Sequence, residues 1–281
     1  MRFYIMSRNV LLIISIFCFG VVSAQKAFRH NTWSRSEFGL MMGGSYYLGD
    51  LNSKHLTNTN LAGQAFYRYN VHARFAIRSN ITLGKIEASD ATSTVDYYRN
   101  RNLSFQTNIY EFGTGVEFTY LPFEIGNKRY RGTAYLLAEL AVARINPTTE
   151  WNGEQVELQP LGTEGQGTSL SDRSKYKRTQ LAIPLGIGCR FTLTENIGLN
   201  LEYGLRFLFT DYIDDVGTYR YVDPIALQAA NGPMAAALSN RSLDQNQFGQ
   251  RGNPSIRDWY AFFGAGISFR LGGKNPCPSD L

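Results

Sequence analysis

Eight stretches of this sequence alternate with a period of two, with large apolar side chains on one parity and glycine, small or charged residues on the other. That period belongs to a β-strand, whose successive side chains point to opposite faces. In the clearest stretch, Ile197, Leu199, Leu201, Tyr203, Leu205, Phe207 and Phe209 oppose Asn200, Glu202, Gly204 and Arg206. Leu181, Ile183, Leu185, Ile187, Cys189 and Phe191 likewise oppose Gln180, Pro184, Gly186, Gly188, Arg190 and Thr192. The same alternation runs from Phe38 to Leu48, from Arg74 to Leu83, from Tyr110 to Tyr120 and from Trp259 to Leu271. Two weaker stretches, Leu61 to Tyr69 and Thr133 to Ile145, complete the set.

Strands of about ten residues with one continuous apolar face suit a membrane barrel, in which that face meets lipid and the polar face lines the lumen. An exported soluble sandwich is the competing fold, since periodicity alone does not tell the two apart. An even strand count, aromatics near strand ends and an export signal favour the barrel, and only a closed barrel satisfies strand backbones inside lipid. The mean hydropathy of −0.24 is too polar for a bundle of membrane helices, while 43% hydrophobic residues is too many for a disordered chain. The expected fold is therefore all-β, an eight-stranded antiparallel transmembrane β-barrel with long extracellular loops.

Residues 1–24 read as a signal peptide: Arg2 and Arg8 are followed by an apolar run from Val10 to Phe19 and by Val22-Ser23-Ala24. Its removal takes away two arginines and no acid, which lowers the formal charge from +5 to +3. No basic run remains, so no nucleic-acid partner is expected. Residues 25–35 would form a periplasmic N-terminal segment, 36–271 the outer-membrane barrel and 272–281 a periplasmic tail. Links at 70–73, 121–132 and 195–196 are short or moderate, whereas 49–60, 87–103, 146–178 and 211–257 are long. Short turns face the periplasm in such barrels, which would put both termini there in a cell outer membrane.

On the polar parity, Arg74, Arg78, Arg190, Arg206 and Arg270 would point inward, with Glu37, Glu111, Glu117, Glu139 and Glu202. The interior of an eight-stranded barrel is only wide enough for side chains, so a paired network filling the lumen is expected instead of a diffusion channel. Catalytic chemistry is sparse. His30, His55 and His72 fall in separate parts of the map, and Asp50, Ser53 and His55 lack a fixed element to order a triad. Asp50, Asp214 and Asp215 lack the spaced oxygen ligands of a calcium loop and read as solvated loop. The pairs Gly113/Gly115, Gly186/Gly188 and Gly264/Gly266 lack a dinucleotide fingerprint and read as small residues making room for arginine. Neither an enzyme nor a cofactor is expected. Lys128, Arg129 and Arg131 in the second short link, with Lys26, Arg29, His30 and Arg35, form a basic rim that is either an interfacial collar or a partner-docking surface. Cys189 would face lipid. Cys277, between Pro276 and Pro278, belongs either to an unimportant tail or to a thiol tether to a periplasmic partner.

The loops carry a resemblance. Gly43-Gly44-Ser45-Tyr46-Tyr47-Leu48-Gly49-Asp50-Leu51, Ile145-Asn146-Pro147, Trp151-Asn152-Gly153, the run from Leu158 to Gly167, Thr210 to Val216, Arg251-Gly252-Asn253 and Asp258-Trp259-Tyr260 resemble the PorG family. That family comprises outer-membrane barrel components of the type IX secretion system of Bacteroidetes. The resemblance implies a non-enzymatic part of a protein-export machine, serving gliding motility in some members, with the periplasmic PorK/PorN ring and outer-membrane lipids as partners. A small structural or adhesive barrel is the alternative, and an outer-membrane lipid-modifying enzyme comes third.

Overall fold

A computed structural model describes residues 36–244, 249–255 and 257–272. Its strands are β1 (Ser36–Leu48), β2 (Asn60–His72), β3 (Phe75–Ser89), β4 (Ser104–Thr119), β5 (Gly132–Arg144), β6 (Thr148–Trp151), β7 (Glu154–Glu157), β8 (Thr179–Thr192), β9 (Ile197–Leu208) and β10 (Trp259–Leu271). Eight of them close a barrel in the order β1-β2-β3-β4-β5-β8-β9-β10, every pair antiparallel, with β10 returning to β1. The closing register runs from Ser36↔Leu271 to Leu48↔Trp259, so the first strand begins and the last strand ends at the same rim. The remaining two strands form a hairpin in the long link between β5 and β8 and join the wall's ladder at Gln106↔Thr148, with side-chain bonds from Ser104 to Thr149 and from Gln106 to Gln155 beside it. Asn152 and Gly153 make its turn, with φ of 52° and 84°, the left-handed geometry that a two-residue hairpin turn demands.

The alternation sorts the side chains onto the two surfaces. Outside, Met42, Ile81, Phe112, Leu140, Leu181 and Ile187 are all more than half exposed. An apolar belt of this extent has no place in water, and lipid is its solvent. The belt makes this a membrane-spanning barrel. Inside lie Glu37, Gln64, Arg78, Asn80, Glu111, Glu117, Arg190, Asn200, Glu202 and Arg206, all buried.

Links at 73–74, 120–131 and 193–196 lie at one rim, and the long links 49–59, 90–103, 145–178 and 209–258 at the other. The long links are not solvated coil. They hold helices Asp96–Arg101, Leu158–Leu161, Pro224–Asn231 and Pro233–Ser239, and they share an apolar core with the upper barrel. Leu51, Leu103, Leu158, Ile213, Val216 and Leu238 from the links pack with Tyr47, Ile86, Phe105 and Leu208 from the strands. Asp223 caps the helix at Pro224 by accepting from Ile225 N at 2.9 Å, with proline at the first turn where no amide partner is needed.

The six glycines expected to make room for arginine serve other neighbours, whereas Gly204 does lie against one, an added Cβ there falling 2.7 Å from Arg206 Nη1. A Cβ on Gly188 would lie 2.3 Å from the Tyr135 ring, and one on Gly39 would lie 2.3 Å from Phe66. Gly113 leaves space for the Glu139 carboxylate instead.

Candidate functional site

The lumen holds four buried arginines, Arg68, Arg78, Arg190 and Arg206, and five buried glutamates, Glu37, Glu111, Glu117, Glu139 and Glu202. Arg68 Nη1 donates to Glu37 Oε2 at 2.7 Å and its Nε to Glu117 Oε2 at 2.8 Å. Arg190 reaches the same two carboxylates, Glu37 and, at 3.3 Å, Glu117 Oε1. Arg78 donates to Glu202 Oε2 at 2.5 Å and to Gln64 Oε1 at 2.7 Å. Nearer the long loops, Arg206 Nε lies 3.5 Å from Glu111, which also accepts from the Tyr260 hydroxyl. Glu139 is held by an amide, Asn80 Nδ2, at 2.7 and 2.6 Å. The guanidinium carbons of Arg68 and Arg78 lie 4.8 and 4.3 Å from the centre of the Phe66 ring. Charges with no water around them persist only when paired and hydrogen-bonded, and this arrangement pairs them across the barrel.

Arg68 is the member that the sequence pattern missed, and Arg74 is the one that it misplaced. Arg74 is exposed in the turn 73–74, beyond the last paired residue of β2, so strand parity no longer dictates where it points. Arg270 sits at the rim, with Nη1 donating to the Ile125 carbonyl at 3.0 Å and lying 3.8 Å from Glu124.

Both ends of the lumen are covered. At the short-turn rim, the link 121–131 folds inward and buries Phe123 and Ile125. Arg190 stacks on Phe123 at 4.7 Å, and Gly126 N donates to Thr192 Oγ1 at 3.3 Å. Lys128, Arg129 and Arg131 of the same link stay exposed.

At the other end, the motif segments of the long links converge on one buried polar cluster. Arg101 donates to both oxygens of Asp90 at 2.7 and 2.8 Å and to the Arg251 carbonyl at 2.6 Å. Arg251 pairs with Glu164, whose Oε1 also accepts from Gly217 N and Thr218 N at 3.0 Å. Asp215 accepts from Tyr176 Oη at 2.7 Å and from Thr163. Burial pushes Asp215 up to about 6 despite the Arg251 charge. Burial, reinforced by Asp50 and Glu164, pushes Asp211 up to about 7. Tyr47 Oη lies 2.6 Å from Asp214 Oδ2 and 2.7 Å from Asp258 Oδ1. One phenol proton serves one acceptor, so the second contact requires a carboxyl that donates its own proton. Burial, reinforced by neighbouring acids such as Asp50, accordingly holds both carboxyls well above the usual carboxylate range. Asp214 and Asp215 are therefore structural core groups and not the solvated loop that their sequence context implies. Asp50 belongs to the same cluster through Asn253 N at 2.9 Å.

Among the described residues, the remaining candidates are not brought together in one site. His55 Nδ1 lies 3.0 Å from the Tyr46 hydroxyl, which is itself 2.7 Å from Tyr203 Oη, while Asp50 is engaged in the cap. His72 Nδ1 accepts from Arg74 N at 3.4 Å. Among the described residues, no group of three or more His, Cys, Asp or Glu is placed to hold a metal ion. Cys189 lies on the outward parity of β8. His30, Lys26, Arg29, Arg35, Cys277 and the segments 1–24, 25–35 and 273–281 lie outside the described residues.

No curated protein matches the chain. Among solved structures, Neisserial surface protein A overlays with a TM-score of 0.44 at 9% identity, covering 84% of this chain and 97% of that one. A major outer membrane protein from Thermus thermophilus gives 0.40 at 11% identity over 84% and 99%. Ail, the attachment invasion locus protein of Yersinia pestis, gives 0.38 at 10% identity over 84% and 99%. These overlays are too loose to argue from, and the barrel stands on its own strand register. One family model matches more than half of the chain, residues 10–159, and on that match the chain belongs to DUF6089, a family described as a domain of unknown function.

Proposed function

We propose that this chain is a non-enzymatic outer-membrane barrel that anchors or organises the type IX secretion machinery, and with it gliding motility where present, by docking a periplasmic ring of the PorK/PorN type. Membrane barrels with short turns at one rim and long loops at the other place the short turns in the periplasm. Both ends of the barrel segment then lie on that side, after removal of a signal peptide at 1–24. The observation that carries the reading is the link 121–131. It is braced into the barrel by Phe123 and Ile125 yet holds Lys128, Arg129 and Arg131 exposed on one rim. A braced cationic rim on a filled barrel suits a docking platform better than a conduit. Lys26, Arg29, His30 and Arg35 would extend the same surface, and Cys277 would offer a reductant-sensitive tether beside it.

The test combines K128E, R129E and R131E in one protein, with ring recovery by cross-linking and pull-down from native membranes. Ring recovery should fall while barrel folding, judged by heat-modifiable migration, is retained; unchanged recovery rejects docking at this rim. A deletion strain separates the alternatives. Lost cargo export supports the secretion role, altered lipid A an enzyme, and neither a structural or adhesive barrel. The last reading draws on the folded loop cap, which would present a fixed surface to the exterior.

A further inference from the structure

On the outer surface of the wall, where β3, β4 and β5 reach the long loops, lies a groove of about 730 Å³. Its charged and polar lining includes Lys85, Asn108, Tyr110, Arg144, Arg178 and Glu157. Lys85 pairs in register with Asn108, Tyr110 with Arg144, and Arg178 immediately precedes β8. The basic groups thus form a row over adjacent strands, spanning about 14 Å at the usual strand spacing. Two residues nearer the barrel's middle on β3, β4 and β5 stand Leu83, Phe112 and Val142, with Leu181 of β8 three residues on from Arg178, all exposed members of the apolar belt. The groove therefore sits at the height where acyl chains give way to head groups. Lys85 is 2.9 Å from Glu87, and Arg178 is 2.6 Å from Glu157. Both carboxylates lie on the loop side, away from the belt. Arg144 is exposed and makes no ion pair among the described residues.

We propose that this groove binds a phosphate-bearing lipid head group of the surrounding leaflet, with Arg144 as its central cation. A guanidinium presents paired donors to phosphate oxygens, Lys85 adds a point charge, and Asn108 and Tyr110 supply neutral donors beside it. The belt beneath holds the acyl chains that bring the phosphate to this height. A free anion would gain nothing from that belt. The proposal rests on the membrane placement of the barrel and is independent of the secretion role.

The full chain in nonionic detergent micelles is titrated with phosphatidic acid, with diacylglycerol of the same acyl chains, or with inorganic phosphate, and bound molecules are counted by native mass spectrometry. Phosphatidic acid should be retained and diacylglycerol should not. Arg144→Gln should weaken retention about tenfold, the worth of one charge-assisted contact, with Lys54→Gln on the first long loop unchanged. Arg144 lies outside the lumen network, so heat-modifiable migration should remain wild-type. Equal retention of diacylglycerol would show that the belt alone holds lipid and would overturn the proposal. Inorganic phosphate bound as tightly as phosphatidic acid would also overturn it, in favour of a free-anion site. Undiminished retention in the K85Q/R144Q/R178Q protein would place the lipid elsewhere.

Discussion

Replacing Arg68 with methionine removes a fully buried guanidinium while keeping much of its length and its contact with Phe66. The change deletes the bonds to Glu37 at 2.7 Å and to Glu117 at 2.8 Å. Removing one partner of a buried pair commonly costs about 3–5 kcal/mol, because the other charge stays behind without compensation. Here the loss is moderated. Glu37 keeps Arg190 and the Asn70 amide at 3.1 Å, while Glu117 keeps Arg190 at 3.3 Å and Arg78 at 3.6 Å. The expected loss is therefore about 3 kcal/mol, roughly two decades in the ratio of folded to unfolded barrel. Urea titration of protein in lipid vesicles, followed by tryptophan fluorescence and by heat-modifiable migration, reads it directly. Adding Glu117→Gln should return about 1–2 kcal/mol, and the double-mutant cycle isolates that coupling. Arg270→Met at the rim provides the comparison, with an expected loss of at most about 1 kcal/mol. An Arg68→Met loss below about 0.5 kcal/mol, or one equal to that of Arg270→Met, would refute a stabilising lumen network.

The wild-type barrel should show no steady conductance in planar bilayers, because paired charges fill the lumen and both ends are covered; persistent porin-like current steps would contradict this. Gly39→Val should cost about 1–3 kcal/mol in the same urea titration, since its Cβ meets Phe66, and Phe66→Leu should recover part of the loss. No loss from the valine would mean that the ring is free to move aside. The cap should loosen as pH rises. Asp215 near 6 and Asp211 near 7 titrate above the ordinary aspartate value of 3.8, so their contribution is fullest below about pH 4 and is lost as pH climbs through 6 to 7. Amide exchange at Ile213 and Val216, corrected for intrinsic rates, should be faster at alkaline than at acidic pH; flat or rising protection would oppose that sign.

The wall was legible in the sequence because lipid and lumen impose opposite chemistry on alternate residues, as in β9, where from Ile197 to Leu205 each apolar residue or tyrosine is followed by a polar residue or glycine. β2 was harder to read. Phe66 points into the lumen and Ala65 points out, so hydrophobicity no longer marks the face, and Arg68 passed unnoticed on the same parity as Phe66. Arg74 departs from its expected place for the opposite reason: it lies in the turn between His72 and Phe75, where strand parity does not carry through. The cap was illegible because the partners of its buried acids are distant in sequence. Glu164 meets Arg251, and Tyr47 meets Asp214 and Asp258. The β6–β7 hairpin lies outside the eight expected strands, although its Asn152-Gly153 turn is a local signal.

A barrel held only by its hydrogen-bond ladder passes load from each strand to its two neighbours, and a pull on one hairpin tends to peel it away. In this barrel Glu37 ties β1 to β8 through Arg190, Glu117 ties β4 to β2 through Arg68, Glu202 ties β9 to β3 through Arg78, and Tyr260 ties β10 to β4 through Glu111. Two of these links, β9 to β3 and β10 to β4, join opposite sides of the ring, and the other two skip over intervening strands. Tension applied at the short-turn rim is shared over opposite sides of the ring before any single seam carries it. The wall therefore yields as one hoop, and the force needed to extract it is that of breaking several charge-assisted bonds together.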